Sequence, residues 1–206
     1  MDDSPKWLPD AAGTAWEPLA AAMKKGLPVA TGYIVAKSTS EDELRAAYER
    51  LKVREKTHFV AVRGASHAVL NVIGPDALVY TVRRFWAESP DAPVLIQRMI
   101  HAVWCGKAHR HRNNLRIKAN EGMLILDPDT YLVNGATGKC IRRSLEPKQR
   151  KMIRHVDGAA KVIEREGERV SISNEDLARI TELAAQADHD IGWAIDDLDK
   201  IWLVSL

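Results

Sequence analysis

The sequence predicts one unit of mixed α and β structure, on three observations. Short runs rich in β-branched residues, such as Val60-Ala61-Val62, alternate with segments whose apolar residues recur at helical spacing. Three of the helical segments open on a Ser or Thr followed three residues later by Glu or Asp, the signal of a capped N-terminus. No repeat, low-complexity tract or clear linker divides the 206 residues, enough for one domain or two small lobes sharing a core.

Thr14 and Glu17 form the first capping signal, and Gly26 suits a left-handed C-cap, so a helix is expected over about 15 to 25. Residues 27 to 35, β-branched with Pro28 near the start, read as a strand. Ser40 with Glu43 opens a second helix to about Leu51, with Leu44, Ala47, Tyr48 and Leu51 on its apolar face. The strand 59 to 62 follows and runs into Arg63 and a small-residue turn. Residues 76 to 86 carry Leu78, Val79, Val82, Phe85 and Trp86 at helical spacing, and 93 to 100 is a β-rich run. The stretch 115 to 119 alternates with period two, and short strands are expected at 123 to 126 and 131 to 133. "NGATGK" offers a hairpin turn into Cys140-Ile141. A helix is expected over 147 to about 166. Another starts at Ser173 with Asp176, with Leu177, Ile180, Leu183, Ala184 and Ala187 on one face, and "IGWAID" and "KIWLVSL" close as a hairpin-like pair.

Composition bounds the chemistry. No apolar run approaches the roughly 20 residues of a membrane span, and the acidic start, Met1-Asp2-Asp3, leads into no apolar signal region, so the expected location is the cytoplasm. Cys105 and Cys140 stand alone, fitting neither a disulfide framework nor a zinc spacing. GxxxxGK[ST], GxGxxG, GxSxG and HExxH motifs are all missing. His109 and His111 point to one side of an extended segment and are weighed as metal ligands against a solvated basic turn. The net charge of +2 is too small for whole-surface attraction to nucleic acid. Basic residues do concentrate at Lys107, Arg110, Arg112, Arg116 and Lys118, and again at Lys148, Arg150, Lys151 and Arg154. They would neutralise phosphates in one reading and form a solvated loop and helix face in the other, which the lack of interleaved aromatic residues favours.

Six segments in order resemble the nucleotide-binding, ATP-grasp domain of phosphoenolpyruvate synthase and pyruvate phosphate dikinase. They are "GLPVATGYIV", "VAVRGAS", "LNVIGPDALVYTVRRFWAES", "VLIQRMI", "DPDTYLVNGATGKCI" and "DIGWAIDDLDKIWLVSL", collinear from about Leu19 to Leu206. The resemblance implies an α+β, ATP-grasp-like fold whose two small lobes, about 14 to 92 and 93 to 206, carry mixed or antiparallel sheets packed by helices. It implies that Arg63, with Ser66 in the turn beyond it, lies over the ATP phosphates, and that the backbone of Gln97, Arg98, Met99 and Ile100 meets the adenine edge. From the residues alone, 97 to 99 read as a buried strand.

The departures from that family bear on catalysis. Phosphoryl transfer needs a divalent ion to bridge the phosphate oxygens. Gly192 and Val204 stand where the family has its metal-binding Glu and Gln, Leu206 replaces an Arg, and Ala15-Trp16 lie where a Gly-Lys would reach the phosphates. Only His67, Ala68 and Val69 separate Ser66 from Leu70, in place of a long phosphate-covering segment. ATP is therefore the expected ligand and Mg²⁺ a doubtful one, with Asp190, Asp196 and Asp197 as carboxylates nearby; no catalytic or metal residue is assigned. The leading reading is a catalytically degenerate nucleotide-binding module, acting as a binding or scaffold component. The alternatives are an active subunit of a split dikinase that phosphorylates a histidine on a partner protein, and a nucleic-acid-binding module using the basic 107 to 118 face.

Overall fold

The computed structural model describes residues 5 to 123, 128 to 145, 151 to 156, 159 to 164 and 171 to 206. The chain divides into two compact units, Met1–Ile100 and His101–Leu206.

The first unit contains β1 (Lys6–Trp7), a 3-10 turn at Leu8–Asp10, α1 (Glu17–Lys24), β2 (Gly32–Val35), α2 (Glu41–Glu55), β3 (Phe59–Arg63), β4 (Ala68–Ile73), α3 (Pro75–Glu88) and β5 (Val94–Arg98). Its five-stranded sheet has the order β1-β2-β5-β3-β4, every neighbouring pair antiparallel. Val35, Val60, Val62, Val94 and Ile96 pack against Leu44, Tyr48 and Leu51 of α2 and Leu78, Val82 and Phe85 of α3. The apolar faces expected of those two helices are thus the ones buried. The Ser40 capping box forms in full: Ser40 Oγ accepts from Glu43 N–H at 3.3 Å, while Glu43 Oε2 accepts from Ser40 N–H at 2.8 Å. One phenol docks both helices, since Tyr48 O–H donates to His58 C=O at 2.7 Å and accepts from Gly74 N–H at 2.8 Å, at the start of α3.

Two expectations in this unit are corrected. The Thr14 capping box does not form: Thr14 Oγ1 accepts from Trp16 N–H at 3.2 Å, and Glu17 accepts from Gly13 N–H at 2.9 Å. Pro18 suits the first turn of a helix starting at Glu17, because its missing N–H has no intrahelical partner there. The strand expected from residue 27 begins only at Gly32. Gly26 does carry a φ of +82°, as a left-handed cap requires.

The second unit contains β6 (Ala102–His111), β7 (Asn114–Glu121), β8 (Asp129–Asn134), β9 (Cys140–Ser144), β10 (Lys151–Val156), β11 (Ala159–Glu164), α4 (Asn174–Ala187), β12 (Ile191–Asp196) and β13 (Ile201–Ser205). Its six-stranded sheet runs β13-β12-β6-β7-β8-β9, again antiparallel, with β10 and β11 as a separate pair. Leu115, Ile117 and Ala119 are buried while Arg116 and Lys118 are exposed, as the alternation predicts. Ser173 caps α4 by accepting from Asp176 N–H at 2.9 Å. Asn134 Oδ1 accepts from Ala136 N–H at 3.0 Å and Thr137 N–H at 2.9 Å, building the hairpin turn read in "NGATGK".

The helix expected over 147 to 166 is contradicted where the chain is described. Residues 151 to 156 and 159 to 164 form an antiparallel hairpin in which Val156 pairs with Ala159. The sequence between them, Asp157-Gly158, is a dipeptide favoured in two-residue hairpin turns. Lys148 and Arg150, and positions 124 to 126 of the strand expected after Met123, lie outside the described residues. The basic stretch 107 to 118 is likewise not a loop: Lys107 to His111 complete β6 and pair with β7 through His111 and Asn114.

Candidate functional site

Arg63 is the last residue of β3, which lies between β5 and β4. Register places it opposite Leu95, and Ala61 opposite Gln97. Residues directly opposite share a face, and so do residues two apart along a strand. Arg63, Ala61, Leu95 and Gln97 therefore lie on the same face of the sheet, with Arg63 and Gln97 as diagonal neighbours about 7 to 8 Å apart. The opposite face carries Val60, Val62 and Ile96 into the helices.

The Arg63 side chain is half-buried, and desolvation pulls its guanidinium down to a pKa of about 10. It stays cationic at neutral pH. A desolvated cation binds an anion more strongly than a fully hydrated one does, and the guanidinium fork suits the paired oxygens of a phosphate.

The turn beyond Arg63 is tight. Gly64 N–H donates to His67 C=O at 3.0 Å, and a Cβ on Gly64 would stand 2.3 Å from Phe85 Cδ1, so only glycine fits over that ring. His67 stacks on Phe85 with centroids 4.5 Å apart. Ser66 is exposed, its hydroxyl 3.0 Å from His67 Nδ1. In β4, Leu70 and Asn71 stand against Ala61 alone, a bulge in which Asn71 takes a left-handed φ of 57°.

The structure separates the remaining site residues. Gln97 is buried and its Nε2 donates to Ala30 C=O at 2.9 Å, so the amide ties β5 to the segment before β2. Gly32 makes room for it: a Cβ there would lie 2.8 Å from Gln97 Cγ. Arg98 faces the other way, its Nη1 3.6 Å from Glu55 at the end of α2. Sequence reading missed Glu55, which only the sheet order brings to Arg98. Met99 is buried. The amides of Arg98 and Met99 donate to Thr31 C=O at 2.9 Å and Phe59 C=O at 3.2 Å, and Ile100 follows half-buried beyond these last sheet bonds.

In the second unit, two of the three carboxylates weighed as metal ligands are already engaged, and the third, Asp197, is exposed. Asp196 is buried; its Oδ1 accepts from Leu198 and Lys200 N–H at 3.0 and 2.8 Å, and its Oδ2 from Trp202 Nε1 at 2.8 Å. Asp190 accepts from Arg110 N–H at 2.8 Å and lies 3.0 Å from His109 Nδ1, which together hold its carboxyl below the usual range. That pairing, 81 positions apart, was not legible in the sequence. A Cβ on Gly192 would meet Ser205 Oγ at 2.3 Å, so a side chain there would need the Ser205 hydroxyl to rotate away. Asp190 and Asp196 thus have other partners, and among the described residues no group of three or more His, Cys, Asp or Glu side chains is placed to hold a metal ion.

No protein-family model matches the chain, and no curated protein matches it. Solved structures do. The chain is similar to D-alanine–D-alanine ligase from Bacillus anthracis, with 10% identity and a TM-score of 0.53 over 91% of this chain and 53% of that one. It is similar to N5-carboxyaminoimidazole synthase from Aspergillus clavatus, solved with ADP and 5-aminoimidazole ribonucleotide, at 11% identity and a TM-score of 0.52 over 96% and 44%. The fold is ATP-grasp-like. D-alanine–D-alanine ligase from Coxiella burnetii agrees, at 11% identity and a TM-score of 0.51 over 91% and 44%. The chain spans about half the length of these ATP-grasp ligases. No described helix is long and apolar enough to cross a membrane.

Proposed function

We propose that the chain binds ATP or a related nucleotide as a module of the phosphoenolpyruvate synthase and pyruvate phosphate dikinase type, without metal-dependent phosphoryl transfer of its own. Arg63 carries the reading: a desolvated guanidinium at the end of a central strand, beside a glycine turn that brings backbone close, is suited to grip phosphate oxygens. The ATP-grasp-like fold supports a nucleotide as the source of that phosphate. Gln97 supports the site by fixing the strand, Met99 and Ile100 offer backbone and apolar surface to the base, and Ser66 offers a hydroxyl to the phosphates. The side chain of Arg98 is directed to Glu55, so its part is limited to backbone.

The second unit's chemistry supports the reading without a catalytic ion. The position matching the family's metal-binding Glu is Gly192, which has no side chain, and Asp196 spends one oxygen on its own turn and the other on the Trp202 indole. Binding is then the module's work, as a scaffold component for a protein partner; a phosphohistidine carrier, which would accept the phosphoryl group, belongs to the alternative in which the chain is an active subunit of a split dikinase.

Calorimetric titration with ATP, with and without Mg²⁺, tests this. We expect binding that Mg²⁺ does not strengthen and that Arg63→Ala weakens by roughly 1 to 3 kcal/mol with the fold intact. Equal affinity in folded Arg63→Ala would refute the assignment of Arg63. A large gain with Mg²⁺ would favour the active, split-dikinase reading.

A further inference from the structure

One face of the six-stranded sheet packs on α4; the other carries an ordered set of cations. Register places Lys107 opposite Lys118, His109 opposite Arg116, Arg116 opposite Leu132 and Leu132 opposite Arg142. Lys107, Lys118, Arg116 and Arg142 therefore share a face, and all four are exposed. We propose that this face binds the phosphodiester backbone of single-stranded nucleic acid.

Like charges directly opposite on antiparallel strands destabilise a sheet, so the Lys107–Lys118 pair opposes the fold that contains it. Among the described residues no ion pair neutralises any of the four cations. Asp190 does approach the edge of the face, but it is engaged by His109 and Arg110 N–H. The remaining positions opposite these cations and their neighbours include Thr130, Ser144, Asn114 and Asn134, neutral and able to hydrogen-bond. Strand spacing of about 4.8 Å spreads the cations over roughly 14 Å from β6 to β9. That span is wide enough for several consecutive phosphates. No Trp, Tyr or Phe stands in the rows that hold the four cations, and their one imidazole, His109, is engaged by Asp190, so the backbone is the recognised feature. The proposal concerns the second unit alone and stands or falls independently of Arg63.

Four phosphate contacts on a single strand give a slope of about −2.8 in log affinity against log salt, which is roughly a 50-fold loss between 50 and 200 mM NaCl. The assay is fluorescence anisotropy of labelled 20-mer oligo(dT) and oligo(rU) on the full chain. Both should bind at 50 mM with that slope. Lys118→Gln should reduce it to about −2.1, and Lys107→Glu with Lys118→Glu should abolish binding at 50 mM. The charge-matched pair Lys24→Glu with Lys37→Glu, in the first unit, should leave it within about twofold, and circular dichroism would show every variant folded. Absence of binding at 50 mM, equal loss in the control pair, or equal competition by tripolyphosphate at the same phosphate concentration would overturn the proposal.

Discussion

Truncating Trp193 to alanine tests the architecture of the second unit most directly. Trp193 is 1% exposed, and its cross-strand partners are Gly106 on β6 and Leu203 on β13. The indole lies against the bare backbone of Gly106: a Cβ there would come within 2.7 Å of the ring carbon Cζ2. A buried tryptophan removes about 200 Å² from water, or about 5 kcal/mol at 25 cal/mol per Å². Trp193 Nε1 is buried and, among the described residues, has no hydrogen-bond partner, so truncation also relieves a penalty of about 1 kcal/mol. The net expectation for Trp193→Ala is a loss of about 4 kcal/mol, measured by urea unfolding followed by circular dichroism with an unchanged m-value. Trp193→Phe keeps most of the ring and removes the unsatisfied N–H, and should cost less than about 1.5 kcal/mol. A loss below about 1 kcal/mol in Trp193→Ala, or equal losses in the two variants, would refute the placement of β12 over Gly106.

Gly106→Ala should destabilise at least as severely, because its Cβ would stand 1.8 Å from Lys118 C=O, which belongs to backbone and cannot rotate away; the same urea assay reads it. Ser40→Ala should cost about 1 kcal/mol, the worth of a formed N-cap, and Thr14→Ala distinctly less if Thr14 caps no helix, as thermal melts of the two would show. Burial pushes the Cys105 thiol up to about 12, so the folded state holds its proton above pH 9, where the unfolded chain releases its own. Stability should therefore be unaffected by this group below about pH 8.5 and fall by about 1.4 kcal/mol per pH unit between about 9 and 12, a slope that Cys105→Ala removes. In the native protein at pH 8, Cys140 should react with a thiol reagent much faster than Cys105.

Elements with a one-dimensional signature were legible in the sequence. Leu44, Ala47, Tyr48 and Leu51 needed only helical spacing, and Ser40 with Glu43 only a local bond pair. Thr14 carried the same local signal, yet its hydroxyl turned to Trp16 N–H, since a capping motif names two side chains and not the residue at which the helix starts. The strand pair 151 to 156 and 159 to 164 was hidden because its lysines and arginines at mixed spacing also fit a helix face. Position 63 was legible as a candidate because an arginine closing an apolar strand is unusual. What distinguishes Arg63 from Arg98 was not: which face each takes depends on which strands flank β5, and Glu55 reaches Arg98 only through that order. Asp190 is the same case across 81 positions.

The order β1-β2-β5-β3-β4 also has a consequence in time. β5 is the middle strand of its sheet, yet it is the last to leave the ribosome, roughly 60 residues after β2 and 30 after β3. At translation rates of about 5 to 20 residues per second, β2 waits some 3 to 12 seconds with its inner edge unpaired. The β3–β4 hairpin can close meanwhile, but its other edge stays open as well. Synthesis of residues 94 to 98 then joins the two halves in one step, and any chain that stops short of Val94 presents two open edges for pairing with other chains.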